Sequence, residues 1–260
     1  MPPGFEQWIV PTPRAAAPHG PSEELREAGP IGHVARIGVL VGIVPAVTDP
    51  HMRHVRIDYP TEGLDEGGVP PSPFALFDDW FASAVDSGIQ EPNAMTLATV
   101  GADGKPSART MLMKGFDDSG FVFYTNYESR KGRELAANPY AALVFAWLSS
   151  FRQIRIEGAV EEVASEESDE YFETRPVGAR LGALASRQSE VIPGRAWLAD
   201  RFEALSVQHP DGDVARPSQW GGYRLVPDEF EFWQGSTNRL HDRIRYRRSD
   251  QGWSIDRLSP

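Results

Sequence analysis

No cysteine occurs anywhere in the 260 residues. That excludes disulfides, zinc–thiolate sites, iron–sulfur clusters and thiol nucleophiles together. Positive charge is also scarce: 26 Lys and Arg stand against 37 Asp and Glu, for a formal net charge of −11. A general nucleic-acid binder needs a dominant basic field, so that class is excluded and any local cluster of cations becomes informative. Long hydrophobic runs are missing too. The apolar stretch from Ile31 to Val47 carries His33 and Arg36 and is broken near its end by Pro45, which is too short and too interrupted for a membrane span. The segment before it is acidic and proline-rich where a secretory signal needs a basic start, so the chain reads as cytoplasmic. What is present, 40% hydrophobic and 24% charged residues, is the composition of a globular chain long enough to bury a sizeable core.

The prolines are unevenly spread. Nine of the 22 lie between Met1 and Pro50, in segments such as PTPRAAAPHGP that carry neither helical nor strand periodicity. Residues 1–51 therefore read as a flexible, proline-rich extension, with Met52 as an alternative start, and residues 52–260 as a single domain. His19, His33, His51 and His54 fall in or near the extension without metal-ligand spacing, and no metal site is expected.

Ser72-Pro73 opens a helix whose Phe77, Trp80, Phe81, Ala84 and Val85 recur at helical spacing until Gly88. From Ala94 the pattern changes to short strands, AMTLATV, SARTMLMK and GFVFYTN, separated by the turns ADGKP and DDSG. Ser129 caps a short helix that Asn138-Pro139 ends, and the strands YAALVFAWL and RQIRIEGAVEEV follow. Short strands with few helices between them favour a closed antiparallel barrel. Beyond Ser165 come three helices, in SEESDEYFETR, in GARLGALAS and from Arg195 to about Val207. The strands GGYRLV, EFEFWQG, RLHDRIRYR and GWSIDRL close the chain. No GxGxxG after a strand, Walker loop or HExxH occurs, which disfavours a Rossmann nucleotide site and a zincin.

Three basic constellations remain. Arg109 and Lys114 are five apart on one strand, an odd spacing that sends them to opposite faces unless the strand end twists. Ser129-Arg130-Lys131 sits at a helix start, where free backbone N–H groups, the helix dipole and two cations make a phosphate cradle. A solvated pair of loop charges is the plainer reading of the same residues. If extended, Arg239, His241, Arg243 and Arg245 share one face at about 6–7 Å spacing. Mutual repulsion makes such a face improbable without an anion, the alternative being an edge strand protected by charge. Trp233, just before it, is placed to stack on a flat ring.

At these residues the chain resembles the pyridoxine (pyridoxamine) 5′-phosphate oxidase family. The motifs RTMLMK, FYTNYESRKGREL, RQIRIEG, YFETRP, SRQS, WGGYR, FEFWQG, RLHDRIRYRR and IDRLSP occur in family order over residues 52–260. The resemblance implies a mainly β fold with flanking helices, an FMN-binding split β-barrel, working as a homodimer with flavin at the subunit interface. It implies FMN contacts from Arg109, Thr110, Met111, Leu112, Lys114, Tyr124 and Thr125, with Arg130 and Lys131 on the phosphate. Gln153, Gln188, Ser189, Trp233 and Arg243 would complete the flavin site. Substrate would be held by Lys114, Tyr171, Arg175 and Arg239-Leu240-His241, under a lid formed by Arg56 and Tyr59. Two positions depart from the family pattern: Ala179 replaces the usual serine, removing a hydroxyl donor to the substrate phosphate, and Glu91 stands where aspartate is common.

The reaction so implied oxidises pyridoxine 5′-phosphate or pyridoxamine 5′-phosphate to pyridoxal 5′-phosphate with dioxygen as acceptor, giving hydrogen peroxide, and ammonia from the amine. Arg239 and His241 would be the catalytic pair, holding the reacting carbon near the flavin, with His241 a candidate for assisting proton removal. The alternatives are a related flavin oxidase acting on another ring, such as a phenazine precursor, and a non-catalytic FMN or pyridoxal phosphate binding protein.

Overall fold

The structure is a computed structural model that describes residues 57–59 and 61–260. The extension 1–51, its histidines and Arg56 lie outside the described residues.

Helix α1, Pro73–Asp86, starts with proline in its first turn, where the missing N–H costs nothing. The Ser72 hydroxyl makes no cap bond, so proline rather than the hydroxyl sets this helix start. Phe74, Leu76, Phe77, Trp80 and Ala84 are buried, while the expected Phe81 and Val85 are half-buried. The Phe77 ring alone meets Phe116, Phe121 and Phe145 edge-on at 4.8–5.1 Å, anchoring the helix across the concave face of the sheet.

That sheet is antiparallel and comprises β1 (Ala94–Val100), β2 (Pro106–Leu112), β3 (Gly115–Asp117), β4 (Gly120–Asn126), β5 (Tyr140–Trp147), β6 (Arg152–Glu162), β7 (Trp220–Gln234), β8 (Asp242–Ser249) and β9 (Gly252–Arg257). The hydrogen-bonded order is β2-β1-β5-β6-β7-β4-β3, with β8 on β7 and β9 on β8. Its end strands β2 and β3 are joined through Met113 and Lys114 rather than by a ladder, so the barrel is split, not closed as the strand pattern alone favoured.

The expected strands GGYRLV and EFEFWQG are one strand, β7. Pro227 between them cannot donate to a ladder, yet a register shift between Glu157 and Gly158 on β6 lets pairing skip Asp228 and resume. Gly158 faces Pro227 because a Cβ there would overlap the Val226 carbonyl oxygen. β6 follows β7 along one side. On the other side β4 pairs with Trp220–Leu225 and β8 with Glu229–Gln234.

Helix α2 spans Arg130–Ala137, between β4 and β5. Helices α3 (Ser165–Thr174), α4 (Val177–Ala185) and α5 (Arg195–Gln208) fall between β6 and β7, close to where the sequence pattern puts them. Phe172, Leu181, Val214 and Trp220 form a second small core that seats α3 and α4 beside the start of β7.

Candidate active site

The α2 start is built as its sequence suggests. Ser129 is in extended conformation and its Oγ accepts the Gly132 N–H at 3.3 Å. Gly132 is required there, since a Cβ would overlap the Tyr127 carbonyl oxygen. Lys131 is 6% exposed, and its Nζ donates to Thr125 Oγ1 and Gln188 Oε1, each at 3.0 Å. All its hydrogen-bond partners are neutral, and none of the ion pairs among the described residues includes it. Burial, with the nearby Arg109 charge, pulls its ammonium down to about 8 against an opposing pull from Glu134. Arg109 turns under α2, donating to Leu97 O, Thr99 Oγ1, Ser107 Oγ and Glu134 rather than into open space.

Beside this cradle lies a cavity of about 810 Å³, walled by Thr110–Leu112 and Lys114, by Tyr124–Asn126 of β4, and by α3 and α4. The Tyr124 and Tyr171 rings stack at 3.9 Å, and Trp220 lies parallel to Tyr124 at 5.5 Å. Arg175 packs its guanidinium 4.6 Å from the Trp220 ring centre, and its buried Nη1 has no hydrogen-bond partner among the described residues. Burial and the Arg175 charge lower the Lys114 ammonium, opposed by Glu91, the only lining carboxylate of the cavity among the described residues. Ala179, Gly182 and Ala183 leave the α4 wall without polar side chains.

Of the residues the sequence nominated, Thr110, Met111, Leu112, Lys114, Tyr124, Thr125, Tyr171, Arg175 and Gln188 thus meet in one cavity, with Lys131 bonded to its lining residues Thr125 and Gln188, while Arg130 pairs with Glu134 and does not line it. Ser189 follows Gln188 with a left-handed φ of 71° but does not line it. The others gather elsewhere. Trp233 lies 4.7 Å from the His241 ring, Tyr59 lies 5.7 Å from His241, and Gln153 pairs with Trp233 across β6 and β7. Leu240 and His241 border a smaller recess of about 390 Å³ with the C-terminal residues. Gly222, opposite Tyr124, and Trp233 are eleven residues apart on β7, roughly 35 Å of extended chain, so one copy does not bring the two clusters together.

The shared cationic face expected from Arg239 to Arg245 needs correction. Thr237–Arg239 is a 3-10 turn with left-handed φ at Asn238 and Arg239, and the strand begins only at Asp242. The charge on β8 is met internally: Arg243 pairs with Glu231 at 2.7 Å and Arg245 with Asp256 at 2.9 Å. Neighbouring strands supply those carboxylates, which spacing along one strand could not reveal.

His241 accepts the Ser236 N–H on Nδ1 at 3.1 Å, leaving the proton on Nε2. Burial and Arg239 lower its imidazolium further, opposed by Asp242. In this setting the ring offers a hydrogen-bond donor, not the base considered from sequence. Cavity residues to which the sequence analysis gave no role include Trp220, Asn126 and Ser186; the WGGYR motif was the one available sign of Trp220.

A family model described as pyridoxamine 5′-phosphate oxidase matches residues 81–209, and one described as the pyridoxine 5′-phosphate oxidase C-terminal dimerisation region matches residues 220–260. The pyridoxine/pyridoxamine 5′-phosphate oxidase of Burkholderia multivorans is 59% identical over 209 residues, covering 79% of this chain and 97% of its own. That of Paraburkholderia phytofirmans is 54% identical over 211 residues, covering 80% and 99%. Among solved structures, PhzG from Burkholderia lata in complex with tetrahydrophenazine-1-carboxylic acid superposes with a TM-score of 0.72 at 34% identity, over 77% of this chain and 99% of that one. A pyridoxamine 5′-phosphate oxidase-related, FMN binding protein from Nostoc punctiforme, 19% identical, shares the fold with a TM-score of 0.61 over 74% of this chain and 100% of its own. With two family models matching residues 81–209 and 220–260 and relatives of more than half identity over about 209 residues, the chain belongs to the pyridoxine/pyridoxamine 5′-phosphate oxidase family.

Proposed function

We propose that the protein is an FMN-dependent oxidase that converts pyridoxine 5′-phosphate and pyridoxamine 5′-phosphate to pyridoxal 5′-phosphate with dioxygen. The observation that carries this reading is a pair of cationic positions without an ion-pair partner among the described residues. One is Lys131, buried among neutral oxygens at the α2 start, and the other is Arg175, whose buried Nη1 meets no acceptor among the described residues. A buried cation is costly unless an anion meets it, so two such positions suit two phosphate-bearing ligands. The residues fit FMN: a helix start, a buried ammonium and Gln188 for its phosphate, and Thr110–Leu112 beside its ring system. Bound there, the flavin would supply a two-electron acceptor that dioxygen regenerates.

The chain's own work is placement. Lys114 and Arg175 would take the substrate phosphate, and Tyr171, stacked on Tyr124, would flank its ring. Trp233, Arg239 and His241 would cover the opposite face, His241 donating through Nε2. Since those residues lie at the far end of β7, each site would draw on two copies of the chain, and a homodimer follows. The similarity to PhzG and the small-residue α4 wall favour, as a second reading, a larger ring as substrate. It leaves Lys114 and Arg175 without a phosphate to bind.

The test is a flavin spectrum on the purified protein and oxygen-dependent aldehyde formation from both phosphorylated substrates; a protein that takes up no FMN defeats the proposal. Sharing of the site has its own assay. An Arg175→Leu chain and an Arg239→Leu, His241→Asn chain, each inactive alone, are expected to restore about one quarter of wild-type activity when co-expressed, because half the dimers are hybrids carrying one intact site. No recovery would place both clusters in one copy's site.

A further inference from the structure

Glu134 is the one carboxylate within α2, and it is buried. Four groups donate to it: Thr99 Oγ1 at 2.5 Å, Ser107 Oγ at 2.6 Å, Arg130 Nε at 2.8 Å and Arg109 Nη2 at 3.2 Å. These donors come from β1, β2 and α2, so a single side chain ties the β1–β2 hairpin to the helix start. Burial alone would raise its pKa, but the hydrogen bonds from Ser107, Thr99, Arg130 and Arg109 hold it at about 2, so it stays ionised.

We propose that Glu134 is the positioning residue of the phosphate cradle, fixing the Arg109 and Arg130 guanidiniums around Lys131 before any ligand arrives. The inference rests on the reading that this cradle takes the FMN phosphate. Its two oxygens divide the task. Oε2 seats Arg109 together with Thr99 and Ser107, whereas Oε1 holds Arg130 across one helical turn. The charge is consistent as well. Three cations and one carboxylate leave about two positive charges, which matches the roughly −1.5 to −2 of a phosphate monoester at neutral pH. Without Glu134 the three cations would repel one another, and Arg109 would be held only by the neutral oxygens of Leu97, Thr99 and Ser107.

The test compares FMN with riboflavin, which lacks the phosphate, by fluorescence titration of the deflavinated full-length protein. Glu134→Leu is expected to weaken FMN binding by about tenfold or more while riboflavin changes by less than about twofold, in line with the loss of one charge-assisted contact. Glu134→Gln keeps an oxygen for Thr99, Ser107 and Arg109 but turns an amide toward Arg130, so it is expected to weaken FMN by only about threefold. Equal weakening of FMN and riboflavin would reduce Glu134 to a structural role and overturn the inference. So would a Glu134→Leu protein that binds FMN within about twofold of wild type. A wild-type protein that binds riboflavin but gains nothing from the phosphate would instead defeat the cradle reading itself.

Discussion

Arg175→Leu is expected to lower kcat/KM for pyridoxamine 5′-phosphate by about two to three orders of magnitude while the protein keeps its flavin. Arg175 is pre-paid by the fold: its guanidinium lies on Trp220, and it caps α3 with its own backbone. Its buried Nη1 has no acceptor among the described residues, so the side chain gains a full hydrogen bond there when an anion enters. Two charge-assisted contacts to a phosphate, at about 1.5–3 kcal/mol each, set the size of the loss. Leucine keeps much of the contact with Trp220 and Phe172 and removes the charge. Steady-state oxygen consumption measures the effect, with flavin absorbance as the internal control. A kcat/KM within tenfold of wild type would remove Arg175 from the phosphate site.

Lys131→Met is expected to weaken FMN binding by about 100-fold at pH 7 and, unusually for a binding-site change, to raise the melting temperature of the flavin-free protein. Both effects follow from a buried ammonium that meets only Thr125, Ser129 and Gln188. The wild-type pH dependence has a definite sign. Burial and Arg109 lower the Lys131 pKa in the folded state to about 8. In the unfolded chain it is near 10.4, so between those values the unfolded chain holds the extra proton. Raising the pH through that window therefore stabilises the flavin-free protein, and the penalty is fully present below it. Binding runs the other way. The FMN phosphate is largely dianionic above about pH 6, so affinity should be flat from there to about 8 and then fall as Lys131 loses its proton. Glu134, from α2, and Arg109, from β2, are the charges that tune this midpoint. Calorimetry across pH 6–10 on both proteins checks it, and a wild-type affinity that does not decline above pH 8 would sink the account.

What could be read from sequence divides along the range of the interactions involved. The α2 cradle was legible because Ser129, Arg130, Lys131 and Gly132 act within one helical turn. The helices α3 to α5 and most strands were legible from periodicity for the same reason. The Arg243 and Arg245 side chains were not, since Glu231 and Asp256 reach them from adjacent strands. Arg109 illustrates the same limit. Its nomination came from a motif, but that it turns under α2 to Glu134 depends on a helix 25 residues later in the chain. Pro227 misled in the opposite direction, because a strand can pass a proline when it bulges beside it, as β7 does at Asp228. Trp220 had no local signature that marks a ring as part of a stack, although its motif was visible.

The irregularity at Asp228 also changes the parity of β7. Before it, odd-numbered side chains such as Tyr223 and Leu225 enter the core; after it, even-numbered Phe230 and Phe232 do. Gly222, beside Tyr124, and Trp233, beside His241, therefore lie on the same non-core side of the sheet despite their opposite parity. Pairing with β6 passes directly from Gly158–Pro227 to Glu157–Glu229, so the extra residue lengthens β7 without turning any later side chain to the other face. Deleting Asp228 would therefore keep both faces and every later pairing, and would remove only the local bend and twist that a bulge gives the strand. The bulge thus sets a bend between the part of β7 beside the ligand cavity and the part that carries the capping surface.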